Sequence, residues 1–299
     1  MERLRDSGAT IIALILRVTV SVVVLAVIVS RVSLGDILAR AGEGRPLHLA
    51  ATLGLALSCF VLAALRWRLV AGCVGVVVPV GLAVRAQFGG MFGGQALPAG
   101  VGIGMFRGWL VSGQSGRVSR VVGSLLTDRL VALFAACVLA CPSLVGLLGP
   151  TPVPRSAGLV LGPLAVLAAG GAAVALLLGF SRRDGRSLDA GPIGIAVVMA
   201  LTIHATAVLM AALAAGAYAV DPSLALWFAV IPVSAIASAI PVSLNGWGVR
   251  EAAIVVLAAP WGVPPAQALL VSMTLGVVNL VASLPGALVL LQDRRGDPA

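Results

Sequence analysis

Lysine is absent and charge of any kind is scarce: all 20 basic residues are arginine, and 10% of the 299 residues are charged against 60% that are hydrophobic. A water-soluble domain could not carry a mean hydropathy of +1.11 without large exposed apolar patches, so the soluble classes are excluded and the bilayer is the solvent. The missing lysine follows from GC-rich coding in a chain crowded with Ala, Gly and Val. Histidine is limited to His48 and His204, and cysteine to Cys59, Cys73, Cys137 and Cys141, without metal-ligand spacing. Neither a metal nor a cofactor is therefore expected. The cysteines read as small apolar filler, and His204 as a residue satisfied between helices. No nucleophile and base stand in a recognisable constellation, so no catalytic residue is assigned and an enzyme is not expected. The formal charge of +9 would suggest nucleic acid in a soluble protein. Here the arginines sit in short connections between apolar runs, where they set topology, and no nucleic-acid partner is expected.

Long apolar runs dominate what is present. A spanning helix needs about 20 apolar residues. Such runs occupy Ile11–Ser30, Leu47–Leu65, Val121–Leu148, Ala157–Phe180, Ile193–Val220 and Ala266–Leu291, which predicts six spans. The first follows Glu2-Arg3-Leu4-Arg5 and lacks a small-residue cleavage site, so it reads as an uncleaved helix and not as a signal peptide.

Two further apolar stretches, about 77–111 and 224–261, are broken by proline and glycine. The first break contains Pro98, Gly100, Gly102 and Gly104, and the second contains Pro241, Gly246 and Gly248. Each piece that resumes is too short to span, which predicts re-entrant hairpins of two half-helices. The distance from Pro98 to Arg107 equals that from Pro241 to Arg250, since 107 − 98 and 250 − 241 are both 9. Each hairpin follows two spans and precedes one. The expected fold is thus an all-α polytopic membrane protein, one integral membrane domain over 1–299, with six spanning helices plus two re-entrant hairpins. Halves 1–150 and 151–299 form an inverted-topology repeat, because three spans per half insert the second copy upside down.

With the N-terminus inside, Arg3, Arg5, Arg66, Arg68, Arg117, Arg120, Arg182, Arg183, Arg186, Arg294 and Arg295 face the cytoplasm, against Arg31, Arg40, Arg45 and Arg155 outside. Eleven against four puts both termini in the cytoplasm. A multi-pass protein of a bacterial-type cytoplasmic (inner) membrane is expected.

Ionised groups at membrane depth are costly and are usually paired or set against water. Arg107, Arg250, Glu251, Asp128 and Arg129 qualify. Arg107 and Arg250, beside unwound backbone and half-helix N-termini, suit an anionic group such as phosphate, which arginine binds through planar, bidentate donors. The two are expected to share one headgroup site, with Asn245 and Trp247 in the second break. The competing reading has Arg250-Glu251 and Asp128-Arg129 pairing with one another to hold helices together. Trp109, Trp227 and Trp261 read as interface anchors, and Ser272, Thr274 and Asn279 as hydrogen bonds between helices.

Several segments together resemble a known family. They are Ala64-Leu65-Arg66-Trp67-Arg68, Leu97-Pro98 through Gly104 with Arg107, Thr127-Asp128-Arg129-Leu130, and Ile240-Pro241 through Asn245-Gly246-Trp247-Gly248-Val249-Arg250-Glu251. In order and spacing they resemble the flippase-like membrane region of lysylphosphatidylglycerol synthases. The resemblance covers nearly the whole chain. It departs at Asp128, where Glu is expected, and at Arg250, where an uncharged neighbour of Glu251 is common. Members carry the region fused to an aminoacyl-transferase or stand alone and are thought to move lipids between leaflets. The resemblance implies movement of an anionic lipid: a phospholipid, an aminoacyl-phospholipid or a polyprenyl-phosphate-linked sugar. No transferase domain is seen here, so synthase activity is not expected. The alternatives are a membrane subunit that docks a separate transferase, and an intramembrane lipid enzyme using Asp128 or Glu251. Oligomers are compatible with either.

Overall fold

Apolar segments in lipid must satisfy their backbone hydrogen bonds internally, and this chain does so with helices. The computed structural model describes residues 19, 22, 41–96, 101–115, 118–147, 190–220, 224–240, 243 and 245–293, and the regular structure among them is helical. In chain order the helices are α1 (Pro46–Cys73), α2 (Val80–Gly93), α3 (Val101–Ser115), α4 (Val118–Leu147), α5 (Ala190–Ala217), α6 (Leu224–Ala239), α7 (Val249–Ala258), α8 (Pro265–Ser283) and α9 (Pro285–Asp293). Proline opens α1 and α8, where a missing N–H costs nothing and φ is already helical.

Four stretches among the described residues are long and apolar enough to cross a membrane: Pro46–Cys73, Ser119–Ala140, Gly191–Ala217 and Pro265–Gln292, the last formed by α8 running into α9. The protein is a multi-pass helical membrane protein. The expected spans at Ile11–Ser30 and Ala157–Phe180 lie outside the described residues, apart from residues 19 and 22, which are helical. So do Pro98, Gly100 and Pro241.

Two expected boundaries are corrected. Hydropathy ends the second span at Leu65, yet α1 continues through Arg66 to Cys73, ending where Gly75 takes φ +77° and Val76 N–H returns to the Ala71 carbonyl at 2.9 Å. Arg66 is therefore a residue of the helix body and not of a connection. The first interruption is also shorter than expected, because α3 has already begun at Val101 and Gly102 and Gly104 lie within it. A glycine inside a helix costs only about 1 kcal/mol against alanine, too little to unwind a helix that packs well.

None of α2, α3, α6 and α7, with 14, 15, 16 and 10 residues, reaches the length of a span. α2 packs on α3, and α6 on α7. The first pair closes at glycine. A Cβ on Gly90 would lie 2.9 Å from the Cα of Ile103, and one on Gly89 would strike the Phe106 ring. Lipid offers helices no hydrophobic drive to associate, so close backbone approach over small residues takes its place.

The most extensive packing joins α1 to α5, where Ala56 and Phe60 meet Ala211, Ala214 and Ala215. Around this central pair the contacts come in matching sets. α1 lies on α2 as α5 lies on α6, α3 on α4 as α7 on α8, and α1 on α4 as α5 on α8. Across the molecule, α4 lies on α5 as α8 lies on α1, and α4 on α6 as α8 and α9 lie on α2. Exchanging α1 with α5, α2 with α6, α3 with α7, and α4 with α8 and α9 leaves this pattern unchanged.

Candidate functional site

Among the described residues, the buried charged side chains Arg66, Arg107, Asp128 and Glu251 gather in two clusters. In the first, Arg66 on α1 donates through Nε to Asp128 Oδ1 at 2.8 Å and through Nη2 to Oδ2 at 3.2 Å. Arg107 on α3 donates through Nη1 to the same Oδ2 at 2.9 Å, and through Nη2 to the Gln87 side-chain carbonyl and the Ala63 backbone carbonyl. Its guanidinium also lies 4.7 Å over the Trp67 ring, whose N–H reaches Ser124 on α4. Arg66, Arg107 and Asp128 are 6, 4 and 4% exposed. The group thus ties α1, α2, α3 and α4 together through buried polar bonds.

The second cluster forms where α7 begins. Asn245, Gly246 and Gly248 have φ of 45, 81 and 87°, the left-handed region that glycine and asparagine enter most readily. That sharp turn starts α7 and exposes the Gly248 N–H, which donates to Glu251 Oε2 at 2.6 Å. Glu251 Oε1 accepts from Arg250 Nε at 3.0 Å, from Arg250 Nη2, and from Ser272 on α8 at 3.3 Å. The Arg250 guanidinium lies 4.9 Å over the Trp247 ring, and both rest against Gly276, where a Cβ would collide with them. Glu251 is fully buried, while the Arg250 side chain is 20% exposed.

Residues flanking the two interruptions also touch. Asn245 Nδ2 donates to Gln95 Oε1 at 2.9 Å, joining the turn before α7 to the 3-10 turn Gly94–Ala96 that follows α2.

Of the expected site residues, the structure brings Arg107 and Asp128 into one cluster and Arg250, Glu251 and Trp247 into another. Arg107 and Arg250 have no common hydrogen-bond partner among the described residues. Asp128 pairs with Arg66 and Arg107, and Arg129 next to it is exposed. Arg250 does pair with Glu251. Gly246 and Gly248 shape the second interruption. Ser272 bonds between helices as expected, Thr274 does so with Tyr218, and His204 bridges to the Ala132 carbonyl on α4. Asn279 instead bonds back to Leu275 in its own helix. Trp109 and Trp261 are exposed, whereas Trp227 is fully buried. Sequence reasoning missed Gln87, Gln95 and the placement of Arg66. The usable signal was a glutamine inside an apolar half-helix, a costly position unless bonded. No group of three or more His, Cys, Asp or Glu suited to a metal occurs among the described residues.

Short paired helices and buried clusters of arginine with carboxylate, inside a polytopic helical bundle, define a membrane protein with charged groups in its interior. The model of the family described as "Lysylphosphatidylglycerol synthase TM region" matches residues 14–286, and the chain belongs to that family. No curated protein sequence matches it.

Proposed function

We propose that the protein is a lipid translocator, not an enzyme, which passes an anionic headgroup between leaflets through a polar path at the centre of an inverted repeat. In this reading there are six spans, and α2–α3 and α6–α7 are re-entrant hairpins entered from opposite sides of a bacterial-type inner membrane. Both termini are cytoplasmic. The cargo is an anionic phospholipid, an aminoacyl-phospholipid or a polyprenyl-phosphate-linked sugar, whose tails remain in the bilayer. The matched packing of the helices on exchange of the two halves supports the repeat. Family membership supports a membrane role connected with lipids.

The observation that carries the reading is the Asn245–Gln95 hydrogen bond, which brings together two interruptions 150 residues apart. Their meeting puts the polar side chains of Gln95 and Asn245 where, in this reading, a headgroup must pass. The arrangement has to open and close for transport, so Gln95 and Asn245 should part during each cycle. In a background without the four native cysteines, Gln95→Cys with Asn245→Cys bridged by a short reversible crosslinker should arrest leaflet exchange in reconstituted vesicles. Cleaving the linker should restore it. Exchange that continues at the wild-type rate in the fully bridged protein overturns the proposal. A second measurement addresses topology: single cysteines at Ser7 and Asp297 that react with reagent added outside intact cells would place the termini wrongly.

Arg107→Lys is expected to lower exchange by at least about tenfold while the protein stays folded, since lysine cannot hold Asp128, Gln87 and an incoming phosphate with one planar fork. Unchanged exchange in the lysine variant would remove Arg107 from the path.

A further inference from the structure

The two clusters differ in their charge. Arg250 and Glu251 sum to zero, and the carboxylate is completed by a backbone N–H and a hydroxyl. In the first cluster two arginines face one carboxylate, a sum of one positive charge among side chains no more than 8% exposed. Arg66 uses two donors on both oxygens of Asp128, the fork geometry in which a guanidinium neutralises a carboxylate most fully. Arg107 shares only one of those oxygens. Its remaining bonds go to the neutral carbonyls of Gln87 and Ala63, and its Nε is buried with no hydrogen-bond partner among the described residues. Arg129 is exposed and is not among the donors to Asp128, and the His204 ring holds the Ala132 carbonyl.

An uncompensated charge in a low-dielectric interior is costly, and it is relieved when an opposite charge arrives. Resting on the translocator reading, we propose that Arg66 is a positioning residue: by neutralising Asp128 it leaves Arg107 as one surplus buried cation, which matches the site to a headgroup carrying a single negative charge. A phosphodiester brings the cluster to zero. A zwitterionic headgroup leaves it positive, and a doubly ionised phosphomonoester makes it negative. Arg66 acts through the carboxylate and does not itself meet the lipid.

The charge sum makes a prediction that counting bonds does not. Arg66→Gln leaves Asp128 and Arg107 to cancel, so the surplus vanishes. Adding Asp128→Asn removes the carboxylate as well and returns the surplus to one. The test is native mass spectrometry of protein taken from bilayers of equal parts of a singly charged phosphodiester lipid, a phosphomonoester lipid and a phosphocholine lipid. The pH is held about two units above the second phosphate pKa of about 6. The wild type should retain the phosphodiester lipid roughly tenfold over either competitor. R66Q should lose that preference, and R66Q/D128N should regain it although it breaks more ion pairs. Should R66Q not fold, R66Q/D128N against Arg107→Gln decides: retention is expected in the first and loss in the second.

If Arg66 only braced the helices, the double variant would be worse than R66Q, and that result overturns the assignment. A wild type with no preference for an anionic lipid overturns the translocator reading together with it. Inorganic phosphate that raises the melting temperature of the wild type and strips the retained lipid would reassign the site to free phosphate and overturn the lipid part.

Discussion

Glu251→Ala is expected to destabilise the protein by about 3–5 kcal/mol, seen as a much lower melting temperature and loss of a monodisperse peak in detergent. The carboxylate is fully buried and has donors on both oxygens: the Gly248 N–H, two nitrogens of Arg250, and the Ser272 hydroxyl. Truncation strands all of them at once and leaves Arg250 without its counter-charge. Glu251→Gln should fall between, because an amide keeps one acceptor but turns its nitrogen toward a donor. Combining Glu251→Gln with Arg250→Gln should recover part of the loss, since no bare charge then remains. If Glu251→Ala melted like the wild type, the carboxylate would not be the cap that starts α7.

Gly286→Val should be comparably damaging for a different reason. Gly286 stands in the first turn of α9 against the backbone of α2, where an added Cβ would run into the Phe88 carbonyl and the Phe92 side chain. Backbone cannot rotate aside as a side chain does, so α9 must lift away. Overpacking of this kind costs about 1–3 kcal/mol and more when a helix is displaced. Gly93→Ala and Gly54→Ala provide the controls. The first would meet only Leu290 at 3.8 Å and the second nothing within 4 Å, so both should melt close to the wild type. Equal melting of Gly286→Val and these controls would show that α9 does not pack on α2.

Hydropathy and backbone chemistry made part of this structure legible. Each of four expected apolar runs overlaps a span, two of them within three residues at both ends and two off by eight at the C-terminal end, because a helix in lipid has to be about as long as the bilayer is thick. The second interruption was legible from Gly246 and Gly248, since left-handed backbone calls for glycine, and Asn245 beside them tolerates it. The position of Arg66 was hidden. At the end of an apolar run an arginine reads as a topology signal, and only a partner 62 residues away turns it into part of the interior. Gly102 and Gly104 misled in the opposite direction, because glycine permits a break without compelling one. Gly286 carried no signal in a chain with 36 glycines. Its importance comes from a neighbour nearly 200 positions earlier. Likewise, charge pattern offered the Arg250–Glu251 pair, which is local, as its competing reading, and missed the Arg66–Asp128–Arg107 group, which tertiary packing assembles.

The contact of α2 with α8 and α9 has a consequence for biosynthesis. α2 ends at Gly93, and Gly286 is 286 − 93 = 193 residues further along the chain. At roughly 5–20 residues per second, a ribosome needs about 10–40 s to make that segment. Throughout this interval the face of α2 that will receive α9 lacks that partner. The part of the bundle already made therefore waits, in or beside the insertion machinery, for α9 to be synthesised. An insertion factor that shields α2 would act in that window, and a stop codon before Pro285 would leave that face uncovered.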